Sequence, residues 1–308
     1  MDRDVKGNGM NKIFQVESIS TMHELFNCEK PTHPLISLID LNKIEPDPSY
    51  LHERLMMGLY SVSLKNGMDC EMKYGRQSYD FNEGSMVFMA PGQTTVAEYS
   101  ELEKSTSDNW MLLFHPELIR GNLLANKMGD YHFFDYQTNE ALQLSDDEKR
   151  IVTDIVYAIK REYSGNQDNH SLELMLSYIM LLMNYCNRFY GRQFITRSSA
   201  NQDVLIRFEE LLKAEVGSAE KVPSVKHLAD QIGYSPSYLS DLLKKETGKT
   251  AQEHIQLYLT EKAKQFLKGT DDPIYQIAYQ LGFEHATHFS KFFKSQTGQS
   301  PSSFRKIS

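Results

Sequence analysis

The sequence predicts a multidomain α+β chain: an N-terminal small β-barrel or sandwich carrying a helical hairpin, then an all-α domain with two helix-turn-helix motifs. Three observations carry this. Residues 33–115 alternate short apolar and β-branched runs with turn residues. After Pro116 the apolar period lengthens from two to 3.6. From Asp203 onward the pattern is all helical and repeats itself.

A chain of 308 residues fits two or three domains at roughly 100–200 residues each. Hydrophobic residues at 40% and charged residues at 24% are an ordinary globular mix, so folded cores are expected. The N-terminus, MDRDVKGNGMNKIFQVESIS, has no apolar stretch after its charges and does not read as a secretory leader. The most apolar segment, Leu172 to Cys186, falls short of the ~20 residues that span a bilayer. The cysteines Cys28, Cys70 and Cys186 are isolated and form no ligand pair or disulfide framework. A cytoplasmic protein without membrane attachment is expected.

Residues 1–32 are polar and weakly patterned, and read as an N-terminal arm. Between 33 and 115 the runs ISLIDL (36–41), LMMGLYSVSL (55–64), SMVFMA (85–90), TTVAEY (94–99) and NWMLLFH (109–115) read as strands. Glycines 67, 75, 84 and 92 punctuate them, with Asn66-Gly67 a hairpin signal and Pro91-Gly92 a turn pair. Residues 116–191 form the helical part. Ser145-Asp-Asp-Glu148 has the form of a capping box, and Ile151, Ile155 and Ile159 behind it predict a helix ending near Tyr163. A second helix, about 169–190, carries Leu172, Met175, Leu176, Ile179, Met183 and Cys186 on one stripe. Leu174, Leu181, Leu182 and Tyr185 lie off it, so burial on more than one side is expected, within the domain or against another subunit. Residues 192–202 are polar and mixed, and read as a linker to the domain at 203–308.

The repeat begins where Ala229, Gln231 and Gly233 recur as Ala278, Gln280 and Gly282. One residue is then inserted, and Leu239, Ser240, Lys244, Thr247 and Gly248 recur as Phe289, Ser290, Lys294, Thr297 and Gly298. Each copy reads helix, glycine turn, second helix, Thr-Gly, which is the form of a helix-turn-helix. The copies span about 224–247 and 273–297, joined by one long helix at about 252–268. Ser224, Ser235 before Pro236, and Asp272 before Pro273 are expected caps. In the second helix of each copy, Leu239, Leu242 and Leu243, and Phe289, Phe292 and Phe293, must face the core. The opposite faces then present Ser237, Ser240, Asp241 and Lys244, and Thr287, Ser290, Lys291 and Lys294. Small polar residues let a helix enter a major groove about 12 Å wide, with lysines behind to reach phosphates.

The net charge of −8, taken over the whole chain, opposes nucleic acid. Split by domain, residues 202–308 hold 14 basic and 13 acidic side chains, and residues 1–201 hold 19 and 28. The acidity belongs to the N-terminal part. Lys244, Lys245 and Lys249 cluster after the first recognition helix, and no acid occurs from His285 to the end.

The stretches SVKHLADQIGYSPSYLSDLLKKETGKTAQEHI (224–255) and DPIYQIAYQLGFEHATHFSKFFKSQTGQSPSSFR (272–305) resemble the AraC/XylS family of bacterial transcription regulators. The resemblance covers about residues 203–306. It implies a DNA-binding unit of about seven helices whose two recognition helices enter adjacent major-groove segments. It also implies an N-terminal cupin-like β domain, here 33–191, that binds a small effector and helps a homodimer form, with RNA polymerase as a further partner at the promoter. Asp241 departs from the family, where that position is often basic.

On this reading the DNA contacts are Ser237, Ser240, Asp241, Lys244, Lys245, His285, Thr287, His288, Ser290, Lys291 and Lys294. Tyr60, Met72, Tyr74, Phe88 and Trp110 are candidates for an effector pocket. A cupin enzyme would need His-x-His with further ligands, but His33, His52 and His115 are widely separated, so neither metal nor cofactor is expected. No phosphate loop or nucleophile elbow is present either, so the chain reads as a non-enzyme. The competing readings are a metal-dependent cupin enzyme fused to a DNA-binding domain, and an N-terminal domain serving dimerisation or protein interaction alone.

Overall fold

Alternation of apolar and small polar residues builds the N-terminal half. A computed structural model of the protein describes residues 13–45, 54–66, 73–74, 77–78, 84–96, 108–137, 140–217 and 221–307. The chain divides into two units, Met1–Tyr190 and Gly191–Ser308.

In the first unit, β1 (Ile13–Val16), α1 (Ile19–Leu25), β2 (Ile36–Asp40), β3 (Arg54–Met57), β4 (Tyr60–Lys65), β5 (Lys73–Tyr74), β6 (Gln77–Ser78), β7 (Ser85–Met89), β8 (Thr94–Val96) and β9 (Trp110–Phe114) are followed by short helices α2 (Pro116–Ile119) and α3 (Leu123–Lys127). Then come β10 (Leu142–Gln143), α4 (Asp146–Ser164) and α5 (Ser171–Thr196), whose residues from Gly191 onward belong to the second unit. The main sheet is antiparallel with order β10-β7-β4-β9-β2. A second sheet has order β1-β3-β8, with β1 parallel to β3, and β5 pairs with β6.

Ile39 and Leu113 of the main sheet share one buried cluster with Leu55 and Met57 of the second. This is sandwich packing. Among the described residues no closed barrel forms, which corrects that alternative. The run 55–64 is two strands, because Gly58 turns the chain with its amide on Val16 O at 2.8 Å.

The N-terminal arm is also corrected from Ile13 onward. Val16, Ile19, Met22 and Leu25 are buried in the same cluster, and Ser18 caps α1 through the Thr21 amide at 3.1 Å. Apolar residues spaced by three make this a strand and a helix with one inner face.

The other face of the main sheet packs against helices. The capping box at Ser145 and Glu148 forms as expected, and α4 buries Val152, Ile155, Val156 and Ile159. Trp110 Nε1 donates to Thr153 Oγ1 at 3.1 Å, and the Leu38 amide donates to the Tyr163 hydroxyl at 2.9 Å. In α5, Met175, Leu176, Ile179, Leu182, Met183 and Cys186 are buried. Leu172, Leu174 and Leu181 are 49%, 45% and 43% exposed, so α5 keeps an uncovered apolar side where burial was expected.

The second unit contains α6 (Ser198–Gly217), α7 (Val225–Ile232), α8 (Pro236–Thr247), α9 (Ala251–Gly269), α10 (Ile274–Gln280), α11 (Ala286–Thr297) and α12 (Pro301–Ile307). Its core joins Phe208 and Leu212 of α6 to Leu228, Leu239, Leu243, Ile255, Leu259, Ala263, Ile277, Phe289 and Phe293. The segment 192–202, read as a linker, is helical on both sides of Arg197. Gln193, Phe194 and Asn201 are buried within it, which a free tether would not do.

Candidate nucleic-acid interface

Both copies of the repeat use the same devices. The turn of the first is Gly233 at φ 89°, that of the second Gly282 at φ 83°, both left-handed. The following amides, Tyr234 and Phe283, return to Ala229 O at 3.0 Å and Ala278 O at 2.9 Å. Each recognition helix closes on its threonine. Thr247 Oγ1 donates to Leu243 O at 2.8 Å and accepts from the Lys249 amide at 3.2 Å. Thr297 Oγ1 donates to Phe293 O at 2.7 Å and accepts from the Gln299 amide at 3.3 Å. Gly248 and Gly298 follow at φ 78° and 76°. This is the physical content of the repeated Thr-Gly: one hydroxyl satisfies an orphan carbonyl and an amide at a left-handed helix end.

The caps differ. Ser224 Oγ accepts from the His227 amide and Ser235 Oγ from the Tyr238 amide, each at 3.2 Å. Asp272 does not cap the second copy: α10 starts behind Pro273, and Asp272 Oδ2 instead accepts from Gln280 Nε2 at 3.4 Å. The first helix of copy one is further held by Glu215, whose Oε1 lies 3.1 Å from both His227 Nε2 and Gln231 Nε2. Those hydrogen bonds, His227 first, hold its carboxyl below the usual glutamate range.

Leu239, Leu242 and Leu243 are fully buried, as are Phe289 and Phe293. Phe292 is half-buried, with its ring 5.3 Å from that of Phe283. On α8, Lys244 and Lys245 are exposed while Ser237, Ser240 and Asp241 are half-buried. Ser240 is not free on the outer face: its Oγ accepts from the Ala251 amide at 3.3 Å, at the start of α9. On and beside α11, His285, Thr287, His288, Lys291 and Lys294 are exposed and Ser290 is half-buried. Pro301 stands where copy one has Ala251 and offers Ser290 no amide proton. The rings of His285 and His288 lie 5.3 Å apart at the entry to α11.

One cation is spent internally. Arg305 Nη2 donates to Asp272 O at 2.7 Å and Nε to Leu267 O at 3.3 Å, tying α12 to the segment between α9 and α10. No sequence pattern signals this, since both acceptors are backbone carbonyls more than thirty residues away.

The expected effector residues fall elsewhere. Tyr60 stacks on Phe114 at 4.9 Å, Phe88 meets the rings of Phe133, Phe134 and Tyr190, and Trp110 is bound to Thr153. All three sit on the helix-packed face of the main sheet, Phe88 and Trp110 buried and Tyr60 half-buried. Met72 and the Tyr74 side chain lie outside the described residues. Among the described residues, no group of three His, Cys, Asp or Glu side chains could hold a metal ion. No described helix is long and apolar enough to cross a membrane.

The turns, closures and paired outer faces define a tandem helix-turn-helix domain. Residues 228–307 match the family described as a helix-turn-helix domain. The uncharacterized HTH-type transcriptional regulator YobQ of Bacillus subtilis is 33% identical over 82 residues, 27% of this chain and 34% of that protein. The HTH-type transcriptional activator RhaS of Escherichia fergusonii is 34% identical over 79 residues, 26% of this chain and 28% of that protein. The chain thus spans about a third of the length of these curated relatives. A solved AraC-type transcriptional regulator from Chromobacterium violaceum is 25% identical, covering 35% of this chain and 94% of that one, with a TM-score of 0.31. The AraC/XylS resemblance holds here: this part of the chain is a helix-turn-helix domain of the AraC type.

Proposed function

We propose that the protein is a cytoplasmic, sequence-specific transcription regulator. It binds double-stranded operator DNA by laying α8 and α11 in adjacent major-groove segments. The observation that carries this is the duplicated, identically closed recognition helix, each copy exposing a lysine at its end, Lys244 and Lys294. Thr287, His288 and Lys291 then meet base edges or phosphates from α11, with His285 and Ser290 at its flank. Ser237, Asp241 and Lys245 do so from α8. RNA polymerase is the expected partner at the promoter. The non-enzyme reading is supported by relatives named as transcriptional regulators.

The first unit is read as a cupin-like sensing and dimerising domain. With Tyr60, Phe88 and Trp110 used in the core, the effector site moves to the face between the two sheets. There Ser61 and Ser63 place buried hydroxyls suited to a polar ligand. Dimerisation is supported by α5, whose uncovered Leu174 and Leu181 lie in one row with half-buried Tyr178 and Tyr185. Glu173 and Arg188 at opposite ends of that row favour an antiparallel pair.

Selection of bound fragments from bacterial genomic DNA tests the DNA reading. One enriched motif with two half-sites on one face of the duplex is expected. Affinity should fall with salt at a slope set by about four to eight phosphate contacts. No enrichment, or a slope near zero, overturns it. Ligand-dependent thermal shifts with small polar metabolites test the sensor.

A further inference from the structure

The last turn of α5 and the start of α6 do more than connect. Phe194, 5% exposed, packs its ring 5.1 Å from Tyr238 in the first turn of α8. Tyr238 in turn stacks on Tyr234, the residue after the turn glycine, at 5.1 Å and 12°. Asn201, 4% exposed, donates from Nδ2 to Phe194 O at 2.7 Å and to Glu246 Oε1, near the end of α8, at 2.9 Å. Both ends of the first recognition helix are therefore held by the segment 194–201. The second copy is built otherwise: His288 stands in the place of Tyr238 and Gln296 in the place of Glu246, and both are exposed.

We propose that Asn201, with Phe194, is a positioning residue for the first recognition helix alone, so that displacement of the end of α5 is felt at one half of the DNA site and not the other. The physical basis is the buried amide. Its two protons are used on two different elements, so moving either element leaves a buried donor or acceptor unpaired. This rests on the DNA-reading function above. Asn201 touches no base or phosphate in that reading, and acts through α8.

The test uses the full chain and footprinting over the two adjacent half-sites, with Lys291→Ala marking the half read by the second motif. Asn201→Ala should weaken protection of the other half about ten-fold, leaving the marked half unchanged. Glu246→Ala should do the same and add nothing to Asn201→Ala. Glu246→Gln, which keeps an oxygen acceptor, should bind as wild type. Should Asn201→Ala fail to fold, Phe194→Leu keeps an apolar side chain without the ring and should give the same one-sided loss. Equal loss over both halves, or none, overturns the proposal. Amide exchange in the free protein separates this from the DNA-reading function. Asn201→Ala should speed exchange along α8 and not α11 even if no operator is found, and uniform change along both helices sinks it.

Discussion

Gly233 and Gly282 occupy the same place in the two motifs and have nearly the same φ, 89° and 83°. A Cβ at 233 would meet nothing within 4 Å, whereas one at 282 would lie 2.5 Å from Lys221 C and 2.7 Å from Val222 N. The Val222 amide donates to Gly282 O at 3.0 Å, so the chain entering the first motif runs directly over the turn of the second. The backbone demand of the turn is copied with the motif. The packing demand belongs to one copy, because only there does another segment cross.

The largest expected effect tests that difference. Gly233→Ala should cost about 1 kcal/mol, the penalty of a left-handed alanine. Gly282→Ala should cost on the order of 4 kcal/mol, because backbone rather than a side chain must move. Equal costs by urea denaturation would erase the contrast. Next comes DNA. Lys291→Ala with Ser290→Ala should lower specific affinity about ten-fold and reduce the salt slope by about 1. Unchanged specific binding would mean the outer face of α11 is misplaced.

Smaller still is the serine pair. Ser240→Ala removes the acceptor for the buried Ala251 amide and should cost about 1 kcal/mol of stability. In the second copy the counterpart of Ala251 is Pro301, which has no amide proton, so Ser290→Ala should leave thermal stability unchanged. The smallest effect is electrostatic. Because the Glu215 carboxyl titrates below the ordinary glutamate value in the folded state, its contribution is present above the unfolded value, about 4.3, and is lost as pH falls through the lower folded one. Glu215→Gln should flatten that acid-side decline in melting temperature, and the second motif, which pairs Gln280 with Asp272, offers a reference.

Local chemistry made much of this legible from the sequence. The Ser145 capping box, the caps at Ser224 and Ser235 and the Thr-Gly closures all follow from residues a few positions apart, and all appear as read. Non-local matters were not legible. By pattern the aromatic residues Tyr60, Phe88 and Trp110 suit a core more often than a pocket, and only the pairing of the strands reveals that they share the helix-covered face of the main sheet. The segment 192–202 looked like a tether because its polar residues are common in linkers. Gln193 is buried too, and Asn201 is buried against a partner, Glu246, that no spacing rule reveals. Asp272 failed as a cap because Pro273 itself takes the entry position.

Arg305 adds a consequence of its own. Its guanidinium grips two neutral carbonyls, so its attachment has little for dissolved ions to screen, and the ion pairs of this unit, such as Lys264–Glu261 and Lys213–Glu209, are surface pairs of small worth. Folding and DNA affinity in this domain should therefore respond to ionic strength on separate scales. A titration can be carried to concentrations that strip the duplex away while the reader stays intact, and the bare, folded domain recovered there is the reference state against which each half-site can be weighed.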